Sequence, residues 1–389
     1  MRVLFVCNMN NHFFSVVRHL RDVGIEAHLL RLKGESLHFH PSYDTFDLSY
    51  QAYTKVAPWG EPPLFASVAP SEIRRFLSRF PFIIGCGPTP AFMEAAGMRL
   101  DMFIPHGSDL AEMPFFRPSA PARGAVSSVV RFPLAQRRGI QRARYYGGAY
   151  TPQFEEALAQ LGAEGKREAF PIPPIYANDF NPERIESFFG RSNWYDDFRR
   201  IREANDVVVF HHLRHIWKSR ATPISKKGND KFLRGFARTV KAHPDVRFGL
   251  VMLEYGPDVE PSMQLVRELG IEKNVHLMPL MGRRELLVGI SQADIVCGEF
   301  AISWNFGGTI IEGIAMAKPL LHYRIDSMYP EEERFPVMNV STDDDIFRAL
   351  SDYVVRPKHY QAMGREAHAW FRSFIVERSM RELARVIAS

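Results

Sequence analysis

The chain alternates, twice over, between short β-branched runs and longer segments with helical spacing. RVLFV at 2 to 6 is followed by the helical pattern FFSVVRHLRDV, which ends at Gly24, and then by the strand-like EAHLLRL. The order goes on with the helix SEIRRFLSRF, the strand FIIG at 82 to 85, the helix PAFMEAAG, the strand DMFIP at 101 to 105, a basic helix near 134 to 144 and the helix TPQFEEALAQLG. Proline-rich FPIPPIYANDFNPE, 170 to 183, interrupts it, because prolines exclude regular elements and keep the backbone extended. The alternation then restarts: VVVF, KFLRGFARTVKAH, FGLVML, SMQLVRELG, VHLMPL, RRELLVGISQA, DIVC, an apolar helix and PLLHY. Strands alternating with helices predict parallel sheets covered on both faces. An α/β chain with two doubly wound, Rossmann-like domains in tandem is therefore expected, with a cleft between them. Its length of 389 residues fits two cores better than one.

Composition narrows the class. Apolar residues at 46% and charged residues at 24% are ordinary globular values. Cys7, Cys86 and Cys297 are odd in number and far apart in sequence, which predicts reduced structural thiols in a cytoplasmic setting, without zinc or redox pairing. The start turns polar within a few residues, and no run approaches the ~18 apolar residues of a membrane span, so neither a leader nor a span is expected. The net charge of +5 is modest but unevenly spread. No acidic residue lies between Glu112 and Glu155, where Arg117, Arg123, Arg131, Arg137, Arg138, Arg142 and Arg144 all fall. Such a run is either a solvated helix face or a patch for anionic head groups or a phosphorylated substrate. It lacks the interleaved aromatics of a base-stacking groove, so nucleic acid is not expected as a partner.

SWNFGGTIIEGIAMAKPL, 303 to 320, puts one carboxylate, Glu312, into an otherwise apolar helix. The helix is apolar nearly all round and so is expected to be buried against a sheet. Placed in the first turn, Glu312 faces either its own helix amides or a ligand at the cleft, accepting hydrogen bonds from vicinal sugar hydroxyls. Gly307 and Gly308 remove side chains where the helix opens, which lets a phosphate approach the free amides. Phosphate beside ribose suggests a nucleotide diphosphate. The nicotinamide alternative fails, because GCGPTP at 85 to 90 has proline where the third glycine of the fingerprint belongs. STDDDIF, 341 to 347, contains a formal Asp-x-Asp but reads as a helix cap rather than a metal site. His211 and His212, adjacent at a strand end, point to opposite faces and are read as packing or hydrogen-bonding groups.

ADIVCGEFAISWNFGGTIIEGIAMAKPLL resembles the nucleotide-sugar signature of the retaining glycosyltransferases of family 4, which have the GT-B fold. The likeness implies that Glu312 holds the donor ribose and that Phe306, Gly307, Gly308 and Thr309 form the donor loop. Where the family has its first glutamate, which contacts the donor sugar, this chain has Trp304. Either Trp304 packs on a sugar face or Glu299 reaches back from a longer loop. HHLRHIWKSRATPISKKGND resembles the family's diphosphate-binding arginine and lysine, matched by Arg214 and by Lys227 before Gly228; Lys226 or Arg220 are alternatives. PHGSDL, 105 to 110, resembles a cleft-edge loop, which implies His106 near the reacting centre and Asp109 orienting the loop. The first loop, NMNNHFF, stands where the family often has a glycine pair; Asn10, Asn11 and His12 would supply side-chain donors there. Base recognition is expected around Met281 to Arg284.

The resemblance implies domains of 1–180 for the acceptor and 181–370 for the nucleotide sugar, with a terminal helix, 371–389, crossing back to the first. It implies a retaining, metal-independent hexosyltransferase without a cofactor. Its substrates would be a nucleotide sugar and a glycan or lipid-linked acceptor, in glycolipid, polysaccharide or surface-glycan synthesis at the inner face of a membrane. A GT-B nucleotide-sugar epimerase and a non-catalytic partner subunit are the alternatives.

Overall fold

A computed structural model describes residues 2–115, 126–148, 151–220, 222 and 225–389. Arg117 and Arg123 of the basic run lie outside the described residues. The chain divides into two compact units: unit 1 is Met1–Tyr176 with Ile375–Ser389, and unit 2 is Ala177–Phe374. The first division falls inside the proline-rich passage; the second falls inside the terminal helical stretch rather than at 370/371.

Unit 1 holds seven parallel strands: β1 (Arg2–Val6), β2 (Glu26–Arg31), β3 (Thr54–Val56), β4 (Phe82–Gly85), β5 (Met102–Phe103), β6 (Tyr145–Gly148) and β7 (Lys166–Ala169), in the order β3-β2-β1-β4-β5-β6-β7. Every residue of β4 is buried, as helices on both faces of a parallel sheet require. The terminal helix Arg378–Ala388 lays Met380, Leu383, Val386 and Ile387 into this core, an apolar stripe at helical spacing. It follows a π-helical stretch, Phe371–Glu377, through which the unit boundary passes.

Unit 2 holds β8 (Val207–His211), β9 (Phe248–Leu253), β10 (Val275–Met278), β11 (Ile295–Cys297), β12 (Leu320–His322) and β13 (Met338–Asn339), all parallel, in the order β10-β9-β8-β11-β12-β13. Its central strands, β8 and β9, are buried along their whole length. STDDDIF is a capping box: Thr342 accepts from the Asp345 amide while Asp345 accepts from the Thr342 amide.

In both sheets the strand order reverses at one place, between β1 and β4 in unit 1 and between β8 and β11 in unit 2. At such a point the crossovers leave to opposite faces and open a crevice beyond the carboxyl ends of the two strands. The first loop follows β1, the histidine-rich loop follows β8 and the glycine pair follows β11, while PHGSDL follows the adjacent strand β5.

Candidate functional site

In unit 2, β8 leads into His212 and β11 into Gly298 and Glu299. The helix Gly308–Ala315 opens beside them with Gly307 as its cap. Glu312 is the fifth residue of that helix, not in its first turn as expected, and its carboxylate is held by side chains rather than by the helix's own amides. Oε2 accepts from His212 Nε2 at 2.8 Å and Oε1 from Arg283 Nε at 2.9 Å. Burial pushes the carboxyl up, but the His212 hydrogen bond and the Arg283 charge overcome it and hold it at about 2. Glu312 is thus an ionised, buried carboxylate held by side chains. An ionised carboxylate offers about four lone-pair sites, so two remain for further donors.

The second charged pair is Lys227 with Glu299, Nζ to Oε1 at 2.6 Å. Gly228 fixes the lysine's place: its φ of +70° suits glycine, and a Cβ there would meet the Phe300 backbone at 3.0 Å. The Phe300 amide in turn donates to the Lys227 carbonyl. The two loops are therefore stitched together at this point. The glycine pair lies between the two carboxylates. A Cβ on Gly307 would stand 3.9 Å from Glu299 Oε1, and one on Gly308 would stand 3.9 Å from Glu312 Oε1. Both distances are ordinary contacts, and neither glycine has a positive φ, so the protein's own packing does not demand glycine at either position.

His322, Asp258 and Arg283 belong to this site, and sequence reasoning did not single them out. His322, buried at the end of β12, is driven down to about 4 by burial and is therefore neutral. A neutral imidazole has one donor and one acceptor. Its Nε2 donates to the Trp304 carbonyl at 2.7 Å, which leaves Nδ1 to accept from the Glu299 amide at 3.0 Å. One ring so pins both ends of the loop 299–304, and Gly298 admits it: a Cβ there would lie 2.8 Å from Nδ1. Asp258 accepts from the amides of Trp217, Lys218 and Ser219 and fixes the loop after β8. Only Arg283 had a signal, lying in the loop expected to read a base.

The other expected residues of unit 2 are more dispersed. Arg214 is exposed, with its guanidinium 5.9 Å from the Tyr255 ring centre, and it makes no ion pair among the described residues. Trp304 and Phe306 are partly exposed, and Phe306 stacks on Trp370 at 6.2 Å. Thr309 lies in the first turn of the glycine-capped helix. His211 is buried among Phe232, Phe300 and His215, a packing residue.

Unit 1 gathers its own expected residues. Asp109 is fully buried and pinned by backbone: Oδ1 accepts from the amides of His106 and Gly107, both at 2.9 Å, and Oδ2 from Gly87 at 2.8 Å. His106 Nδ1 lies 3.1 Å from the Ile104 carbonyl, and its ring stands 5.1 Å from His12. Asn10 and Asn11 occupy left-handed backbone, φ +53° and +60°, which asparagine tolerates best among residues with a side chain. Asparagine therefore allows a tight first loop without the glycine pair. Asn11 is buried, accepting from Asn8 at 2.7 Å and donating to the His38 carbonyl at 3.0 Å, so its amide serves the loop itself. Because Val6 pairs with Gly85, the next residues, Cys7 and Cys86, come side by side as two free, buried thiols. Burial pushes Cys86 up, but Cys7 and the nearby His106 draw it down to about 6.

The sequence matches no described protein family and no curated protein. Solved structures do match. HepE from Anabaena, in complex with UDP and glucose, covers 100% of this chain with 99% of its own, at TM-score 0.60 and 14% identity. Sucrose-phosphate synthase from Thermosynechococcus elongatus covers 100% of both chains at TM-score 0.58 and 14% identity. An α,α-trehalose-phosphate synthase (UDP-forming) from Burkholderia vietnamiensis covers 100% of both at 0.60 and 12%. The fold is GT-B. Two parallel-sheet Rossmann-like units, of seven and six strands, make it up. Among the described residues no helix is long and apolar enough to cross a membrane.

Proposed function

We propose that this chain transfers a sugar from a nucleotide-diphosphate sugar to an acceptor with retained anomeric configuration. One observation carries the reading. At the strand-order reversal of unit 2, a lysine, an ionised carboxylate and a glycine-capped helix start converge, and the glycines there answer no need of the protein itself. A diphosphate on the helix amides and Lys227, with ribose hydroxyls donating to Glu312, uses each of these groups. UDP bound to a neighbour of the same fold makes a uridine donor the first to test.

In this reading the leaving diphosphate gains negative charge as the sugar bond breaks, and Lys227 and the helix amides stabilise it. The acceptor attacks from the front face, and the leaving phosphate takes its proton. Arg214, exposed after β8, would join them. Unit 1 would supply the acceptor side, with His106 held in orientation through the Asp109 loop. A membrane-proximal, lipid-linked acceptor is favoured by the helix Val126–Gln141, which exposes Val130 and Leu134 beside exposed Arg131 and Arg138. Liposome sedimentation over a salt series tests that part. The core reading is tested by a thermal-shift screen of uridine, guanosine and adenosine diphosphate sugars on the native chain and on Glu312→Ala. Stabilisation by one nucleotide class that is lost in the variant is expected; no stabilisation by any donor would overturn the reading.

A further inference from the structure

Glu299 is an anion at a place read as an anion site. It is 6% exposed; Oε1 holds Lys227, and Oε2 is buried without a hydrogen-bond partner. A buried carboxylate oxygen lacking a donor is costly, and nothing in the resting fold requires it there. The backbone of Glu299 is fixed by His322 and by the Tyr323 amide, so movement is confined to the side chain. The carboxylate faces Gly307 at the helix start and occupies, between lysine and helix amides, the position that suits a phosphate.

We propose that Glu299 is a resident anion in the diphosphate site, which holds Lys227 ready, is displaced by the incoming diphosphate and takes up a proton from solvent as it loses the lysine. The inference rests on the reading of this corner as a nucleotide-diphosphate site. Its physical basis is like-charge repulsion. Once a diphosphate engages Lys227, an ionised Glu299 is left buried beside phosphate without its counter-charge, and protonation removes the conflict. Burial already raises the Glu299 carboxyl above its ordinary value, against the pull of Lys227. The other groups around it do not supply the proton. His322 is neutral, and Glu312 is held ionised by His212 and Arg283. Lys231, from the helix Asn229–Ala242, points its ammonium to the carbonyls of Phe300 and Ser341.

The test is calorimetric titration from pH 6 to pH 8 with UDP-glucose, GDP-mannose and ADP-glucose, whose diphosphates hold fixed charge across that range. Two buffers of different ionisation enthalpy report proton uptake. The native chain should bind its donor more tightly as pH falls, with net proton uptake. Glu299→Gln should bind about tenfold more tightly at pH 8, the equivalent of one pKa unit, with neither pH dependence nor uptake. Glu299→Asp should keep both. Binding by the native chain without pH dependence or proton uptake would overturn the proposal, and that readout needs no variant to fold. No binding of any donor, by native or variant chain, would instead overturn the function proposed above and this inference with it.

Discussion

The two strand-order reversals are built alike and finished differently. Each has a buried carboxylate near the carboxyl ends of the strands at the reversal, Asp109 in unit 1, which reaches Gly87 just past β4, and Glu312 in unit 2. Asp109 is held by three backbone amides, Glu312 by two side chains. Backbone amides cannot leave without the loop unfolding, whereas side chains exchange partners by rotating. The first arrangement is a rivet for a loop, and the second is a site that can trade a protein partner for a ligand. Their surroundings follow suit. Asn8, Asn11 and Gln136 bring neutral amides to the unit 1 junction, with Glu35 behind Asn8, while Lys227, Glu299 and Arg283 complete the unit 2 junction with charges.

The contrast is most exposed at Asp109. Asp109→Ala strands three amides, and at ~1–3 kcal/mol for each buried unsatisfied group it should lower stability by about 3 kcal/mol or more in urea unfolding. Affinity for a nucleotide sugar, measured by calorimetry well below the transition, should stay within about twofold. A large loss of affinity would erase the distinction between rivet and ligand site. Lys227→Ala is the converse. Turnover should fall ~10²-fold or more, the scale of losing one preorganised charge-stabilising donor, alongside a loss of stability because the buried Glu299 is left without its counter-charge. Near-native turnover at saturating donor would remove Lys227 from the mechanism.

The effects of pH should run in opposite directions at the two junctions. Glu35, which accepts from the Asn8 amide, is raised by burial to about 7, against the backbone bonds and Arg31. A carboxyl raised on folding stabilises the protein below its unfolded value, and that gain is lost as pH climbs from ~4.5 to about 7. Glu312, lowered to about 2, stabilises above ~4.5, and that gain is lost as pH falls towards 2. Glu35→Gln should therefore flatten the neutral limb of a stability profile, and Glu312→Gln the acid limb. Hydrogen exchange, read separately on peptides of each unit, can assign each limb to its junction.

What the sequence reveals follows the same divide between local and distant causes. Strands buried on both faces, such as FGLVML and FIIG, announce themselves as continuous apolar runs. YYGG at β6 and KREA at β7 carry no such signal: the first is short and glycine-rich, the second is a polar edge strand whose charges discourage pairing with other chains. At the site, the glycine pair and Glu312 are readable because helix start and carboxylate are neighbours in sequence. The Lys227–Glu299 and His212–Glu312 pairs, 72 and 100 positions apart, are made only by the sheet order. The turn that Glu312 occupies was misjudged for a related reason, since two glycines do not say which of them caps the helix.

A structure of the crystallised chain soaked with a UDP-sugar tests the central claim most directly. The diphosphate should lie against the amides of Gly307 and Gly308, with Lys227 turned from Glu299 onto phosphate and the ribose within hydrogen-bond reach of Glu312. Nucleotide bound elsewhere, with the Lys227–Glu299 pair and both partners of Glu312 unmoved, would contradict it.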